Sequence, residues 1–181
     1  RYLSNFSSGK MASSIATALY CKGADVNLIA TRFEDNIPLD MHTIDVETSE
    51  EMLEYLTDSI RIAKKGKLSK ASLMRDEQIH LIQKQPYLFM AAAVSDYVPE
   101  YVQDGKLKKE MLGESFELSL KQNVDILNSI DKNGITTVGF KAEMAEEVAM
   151  KNASKMIDSK EVDAVCLNIL KDSSSFGSDR N

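Results

Sequence analysis

The residues of this chain best suited to phosphate chemistry fall in three short segments. The turn Ser4-Asn5-Phe6-Ser7-Ser8-Gly9-Lys10-Met11 runs directly into an apolar-periodic stretch carrying Ala12, Ile15, Ala16 and Leu19. The free backbone N–H groups at such a helix start face outward as an anion site, with Asn5, Ser7 and Ser8 as side-chain donors and Ser8, Gly9 and Lys10 closest to the anion. The second segment, Ala91-Ala92-Ala93-Val94-Ser95-Asp96-Tyr97, ends an apolar run. Small side chains at Ala92 and Ala93 let a ring approach the backbone, and a carboxylate at Asp96 accepts hydrogen bonds from ribose hydroxyls. The third is the lysine cluster Lys106, Lys108 and Lys109, inside the irregular stretch Asp104 to Glu114. A loop lysine there can close over a polyphosphate and neutralise charge developing at phosphorus. Phe140, at the end of another apolar run, can stack on a base or fill the core. Taken singly, each segment also has a plain structural reading: a helix cap, a turn aspartate ahead of Pro99 and a solvated charge run.

Related chemistries fit less well. A phosphate-cradling P-loop needs a glycine five residues before the Gly-Lys pair and a Ser or Thr after it, whereas here Ser4 and Met11 stand at those positions. A Rossmann dehydrogenase needs G-x-G-x-x-G, and no such triple occurs. His42 and His80 lack a nucleophile or carboxylate in motif spacing, and no metal-ligand cluster is visible. A non-catalytic nucleotide-binding domain remains the rival reading.

The elements that must position these residues alternate in type. Val26 to Ala30, Thr43 to Val46, Leu88 to Val94, Phe116 to Leu120, Thr136 to Phe140 and Val162 to Leu167 read as strands. Lys10 to Lys22, stopped by Gly23, and Ser49 to Lys65, with a Thr48/Ser49 cap and Glu50-Glu51 in its first turn, read as helices. Asn123 to Ile130 and Met144 to Ser159 read as two more. Lys67 to Gln85 is expected to be a helical excursion. This βαβα rhythm of short apolar strands predicts a mainly parallel sheet in a Rossmann-like three-layer αβα sandwich with a mobile flap, and a ligand site beyond the strands' carboxyl ends.

With 181 residues and 43% hydrophobic content, a single domain over 1–181 buries an adequate core. The net charge of -6 argues against a nucleic-acid partner. Cys21 and Cys166, far apart and outside any CxxC, read as small apolar fillers in a reducing, cytoplasmic setting, and no apolar run is long enough to span a membrane. The chain opens in mid-motif and ends in a loop, so it is expected to be a fragment lacking its first strand and its C-terminal end.

In their order, these segments, with Gly139-Phe140-Lys141-Ala142-Glu143 and Phe176-Gly177-Ser178-Asp179-Arg180-Asn181, closely resemble the bacterial phosphopantothenoylcysteine synthetase family. Its members form the C-terminal half of a bifunctional coenzyme A biosynthesis flavoprotein in many bacteria. The resemblance implies a ligase that joins 4'-phosphopantothenate to cysteine, using CTP and Mg2+ through an acyl-cytidylate. It implies a homodimer, with a fused decarboxylase domain as the only user of FMN. By the same resemblance Asn5 holds the acyl-nucleotide for the second step, and Lys106, on the flap, assists the first. Asp96 takes the ribose, Ala92, Ala93 and Phe140 shape the base pocket, Asn123 and Asp125 form a nucleotide-contacting turn, and Lys160 meets the triphosphate. The family's Lys-Asn-Pro-Asp-Ile is Gln122-Asn123-Val124-Asp125-Ile126 here, and its two lysines four apart before the last strand are replaced by Lys155 and Lys160, five apart.

Overall fold

The computed structural model describes residues 7–34, 36–65, 67–68, 81–82, 85–101 and 114–170. Local sequence signals set the helix ends. Helix α1 (Lys10–Cys21) starts at Gly9, whose φ of 79° is left-handed. Glycine suits this position for a second reason, since a Cβ there would lie 3.3 Å from the Arg32 carbonyl oxygen. At the other end Gly23 donates to the Tyr20 carbonyl and Ala24 to that of Leu19, a Schellman stop with Gly23 at a φ of 85°. Helix α2 (Ser49–Lys64) opens with a capping box. Thr48 Oγ1 accepts from Glu51 N at 3.1 Å, and Glu51 Oε2 accepts from Thr48 N at 3.3 Å.

Strand β1 (Asn27–Ala30) pairs in parallel with β2 (His42–Asp45). A second parallel group is ordered β5 (Tyr87–Met90), β8 (Thr136–Glu143), β9 (Ala164–Ile169), with β8 central. Short antiparallel ladders join β3 (Lys67–Leu68) to β4 (Leu81–Ile82) and β6 (Tyr97–Pro99) to β7 (Leu120–Gln122). A single-turn helix α3 (Ile126–Ser129) follows β7, and α4 (Glu146–Lys160) makes the crossover from β8 to β9.

Alternation along β1 separates the layers, because successive side chains point to opposite faces. Leu28 packs with Ala16 of α1 and Met41, while Ile29 packs with Met52 and Leu56 of α2, Ile126 and Leu127 of α3 and Val162. Leu88 and Met90 of β5, Val165 of β9 and Met156 of α4 join the second cluster, so α2, α3 and α4 cover one face and α1 the other. Each fully buried Leu or Ile in this cluster contributes roughly 1.5–3 kcal/mol. The architecture is the expected Rossmann-like αβα fold with mainly parallel pairing.

Several expectations are corrected. Residues 67–68 and 81–82 pair as strands rather than extending a helix, with 69–80 outside the described residues. Phe116 and Leu118 lie before the strand assigned to them: the ladder opposite β6 begins only at Leu120, and all three side chains are exposed. Pro99 lacks an N–H and ends β6 after three residues, which keeps that ladder short. The run after Leu88 leaves the sheet at Met90, not Val94, and the expected helix from Asn123 is one turn starting at Ile126. Cys21 and Cys166 are exposed rather than filling the core.

The β8–α4–β9 crossover is pinned where it re-enters the sheet. Thr137, fully buried, donates its N–H and Oγ1 to Asp163 Oδ2 at 2.6 and 2.9 Å, and Asp163 N returns bonds to Thr137 Oγ1 and O. The Thr137 backbone N–H, then its hydroxyl, hold the Asp163 carboxyl below its ordinary value. A depressed folded-state pKa adds stability above the unfolded value, about 3.9, that is lost as pH falls through the folded one. Asp163→Asn should therefore flatten the acid limb of the stability profile below about pH 4, as read by urea unfolding across that range. An unchanged acid limb would show that this pair does not carry it.

Candidate active site

The carboxyl ends of β5 and β8 open onto a cavity of about 890 Å³. Its walls are residues 92–97 after β5, 122–127 between β7 and α3, 140–142 at the end of β8, and α4 from Asn152 to Lys160. The backbone after Met90 is free to form a wall because the β5–β8 ladder ends at the Met90–Gly139 pair.

Asn123 ties these walls together. Its Nδ2 donates to the Ser95 carbonyl at 2.7 Å and to Ser49 Oγ, at the start of α2, at 2.8 Å. Its Oδ1 accepts from Val124 N at 2.8 Å, and its backbone N–H donates to the Asp96 carbonyl at 2.8 Å. One half-buried amide thus fixes the strand-end segment, the following turn and α2. These bonds fix the turn ahead of α3, which starts only after the extended N-cap Asp125.

Asp125 then caps α3, accepting from Asn128 N at 3.2 Å and from Asn128 Nδ2 at 2.9 Å, and pairs with Lys160 Nζ. Partial burial favours the neutral acid, but the Lys160 ammonium and the Asn128 N–H outweigh it, so Asp125 titrates below its ordinary value and is anionic at neutral pH. Lys160 is the last residue of α4, where a cation meets the negative end of the helix dipole.

A second polar group lies midway along α4. Glu143 Oε1 accepts from Asn152 Nδ2 at 2.8 Å and lies 3.2 Å from Lys141 Nζ. The Asn152 amide and then the Lys141 ammonium hold Glu143 below its ordinary value. Asn152, Met156 and Lys160, each four apart, form one helix stripe along the cavity, with Lys155 and Ser159 beside it.

Of the residues expected from sequence, Ala92, Ala93, Asp96, Asn123, Asp125, Phe140 and Lys160 line this one cavity. Ser8, Gly9 and Lys10 do not line it; they start α1, and Lys10 N donates to Ser8 Oγ at 3.3 Å. Asn5 and Lys106 lie outside the described residues. Sequence reasoning gave no site role to Asn152, Met156, Ser159 or Ser49. The spacing of four that ends at Lys160 was the available signal for the first two.

The family model described as "DNA/pantothenate metabolism flavoprotein C-terminal domain" matches residues 1–66 and 61–181. The chain belongs to this family. Among curated relatives, the coenzyme A biosynthesis bifunctional protein CoaBC of Thermococcus kodakarensis is 34% identical over the whole chain, which covers 39% of that protein. The Vibrio cholerae protein of the same name is 30% identical over 93% of the chain and 37% of its own length. The chain therefore spans about two fifths of these relatives. A crystal structure of the C-terminal domain of CoaBC aligns with 93% of this chain and 68% of its own at a TM-score of 0.65 and 28% identity. The DNA/pantothenate metabolism flavoprotein from Streptococcus pneumoniae aligns at a TM-score of 0.62 and 22% identity, a likeness of fold.

In this flavoprotein C-terminal domain, the position four before Lys160 is Met156, and Lys155 reaches the cavity from the neighbouring position. Lys155 and Lys160 thus share one wall although they are five apart. Among the described residues, no group of three or more His, Cys, Asp or Glu is placed to hold a metal, and no helix is long and apolar enough to cross a membrane.

Proposed function

We propose that this domain is the phosphopantothenate–cysteine ligase of a coenzyme A biosynthesis protein, with CTP as nucleotide and Mg2+ as its ion. The observation that carries this reading is a cavity that gathers strand-end alanines, the carboxylates Asp96 and Asp125, the Asn123 hub and Lys160 at the carboxyl ends of a parallel sheet. The names of the relatives support this reading. In the first step the 4'-phosphopantothenate carboxylate attacks the α-phosphorus, and the bond to the departing pyrophosphate breaks. In the second the cysteine amine attacks the acyl carbon, CMP departs and the amine nitrogen gives up a proton.

The residues divide this work by chemistry. Asp96 receives the ribose, the backbone at Ala92 and Ala93 with Phe140 borders the base, and Lys160 meets phosphate oxygens. Ser8, Gly9 and Lys10 form a separate anion turn at the start of α1. Among the described residues no carboxylate cluster is placed to hold a metal, so the Mg2+ is one that arrives on the nucleotide's phosphates and keeps several waters. When bound, the ion supplies positive charge at the phosphates. The domain acts in the cytoplasm as a homodimer, beside a decarboxylase domain that alone uses FMN.

The test is pyrophosphate release by the full-length protein given 4'-phosphopantothenate, Mg2+ and CTP or ATP, with and without cysteine. Release that requires the pantothenate compound and is faster with CTP is expected. Binding without release would make this a nucleotide-sensing domain. Asn5→Asp separates the steps: the acyl-cytidylate should accumulate to near enzyme stoichiometry and be visible by mass spectrometry. If none builds up while product formation is slowed, Asn5 does not act in the second step.

A further inference from the structure

Gly139 is a glycine in the middle of the central strand β8, where the missing side chain weakens a sheet. It is not among the glycines with positive φ, so no backbone conformation demands it. Space does. Gly139 pairs in register with Met90 on one side and Val165 on the other, so all three present side-chain positions to the same face. The notch between Met90 and Val165 is filled from above by Met156 of α4. A Cβ on Gly139 would lie 2.8 Å from Met156 Cε, well inside van der Waals contact, and 3.7 Å from both Met156 Sδ and Val165 Cγ2.

Met156 also lines the cavity, next to Met90, and packs below against the main hydrophobic cluster. The thioether therefore separates the core from the ligand space. With the core closed beneath it and Val165 beside it, any side chain at 139 drives the methyl group toward the cavity. Along α4 two polar groups flank this floor: Lys160 with Asp125 lies one helical turn beyond Met156, and Asn152 with Glu143 and Lys141 lies one turn before it. A nucleotide has one broad uncharged surface, its base, and an apolar floor flanked by polar ends suits that part. Sulfur at the edge of an aromatic ring adds a favourable contact.

We infer that Met156, seated in the notch left by Gly139, sets the depth of the base pocket and is the residue that selects for base size. The inference rests on the nucleotide reading given above. Shortening Met156 deepens the pocket and admits a purine, while a methyl group at 139 raises the floor and excludes it further.

The experiment compares wild type, Met156→Ala, Gly139→Ala and the double variant in the full-length protein, measuring CTP and ATP affinities by calorimetry and the unfolding midpoint of each. Met156→Ala should shift the ATP-to-CTP affinity ratio toward ATP by about tenfold, the scale on which pocket volume discriminates ligands. Gly139→Ala should weaken both nucleotides, ATP more, and that loss should vanish in the double variant, which has no thioether to displace. A purely structural role would lower the unfolding midpoint and leave the ratio unmoved. An unchanged ratio in Met156→Ala, or a Gly139→Ala defect that persists without Met156, overturns the inference and leaves the nucleotide reading intact. Failure of wild type to bind either nucleotide removes that reading and the inference with it.

Discussion

Replacing Lys106 with glutamine is expected to slow pyrophosphate release by about two to three orders of magnitude, the usual cost of losing one preorganised charge at a developing oxyanion. Nucleotide affinity should fall by less than about tenfold, a difference of roughly 1.4 kcal/mol. The reason lies in the charge balance of the cavity. Its walls carry Lys141, Lys155 and Lys160, but Asp96 and Asp125 line the same cavity, and Glu143 lies 3.2 Å from Lys141. Three ammonium groups are thus matched by three carboxylates among the described residues. A wall without net positive charge can orient a nucleotide through hydrogen bonds, yet it offers little to a phosphorus centre that gains negative charge as a carboxylate approaches. On the proposed reading the balance comes from Mg2+ and from a further cation, the role that the resemblance implies for Lys106. Glutamine keeps hydrogen-bonding capacity and removes the charge, so it isolates this term. Unchanged pyrophosphate release in the variant would assign the charge to another group.

The fold was legible where the signal is local. Thr48 and Glu51 announce the start of α2, and Gly23 announces the stop of α1, because capping chemistry is complete within a few residues. Strands β1, β8 and β9 stand out as short apolar runs, each next to a helix in the chain order. What the sequence hides depends on partners distant in the chain. Leu88 to Val94 is one apolar run, but only its first part finds a ladder partner on β8, and Ala92 to Val94 instead become cavity wall. Phe116, Leu118 and Leu120 alternate like a strand, yet the short Pro99-bearing β6 can pair only with the last of them. The antiparallel contact of 67–68 with 81–82 has no local signature.

The site divides in the same way. Ala92, Asp96 and Phe140 were readable because strand ends in parallel sheets are where ligands bind, so finding the strand finds the position. Met156 and Asn152 look like ordinary helix residues until the register of β8 places Gly139 beneath one and Glu143 beside the other. Lys160 was named as a phosphate ligand, but its pairing with Asp125 brings together residues 35 positions apart and was not visible. On the proposed reading, a phosphate at Lys160 would share it with an existing carboxylate, which tempers the affinity that a free lysine would give.

The largest effect on the wall itself is expected at Asn123. Its side chain makes three hydrogen bonds, donating to Ser95 O and Ser49 Oγ and accepting from Val124 N. At about 1 kcal/mol net each, Asn123→Ala should cost roughly 2–3 kcal/mol of stability and loosen the segment that carries Asp96. Ser49→Ala removes only one of these partners and should cost about 1 kcal/mol or less. Asn123→Asp should be the most damaging of the three. The carboxylate can still accept from Val124 N, but its second oxygen faces the Ser95 carbonyl, and two acceptors meet where a donor is required. The same anion is added close to Asp96 and Asp125 and repels a polyphosphate, so nucleotide affinity should fall further than in the alanine variant, by about tenfold more. Thermal unfolding and nucleotide titration of the three variants give an order, serine the mildest and aspartate the worst. If alanine were silent, or aspartate were tolerated as well as alanine, the amide would not be the tie between the walls. The cavity would then have to be held by the backbone alone, through the one bond from Asn123 N to the Asp96 carbonyl that every variant keeps.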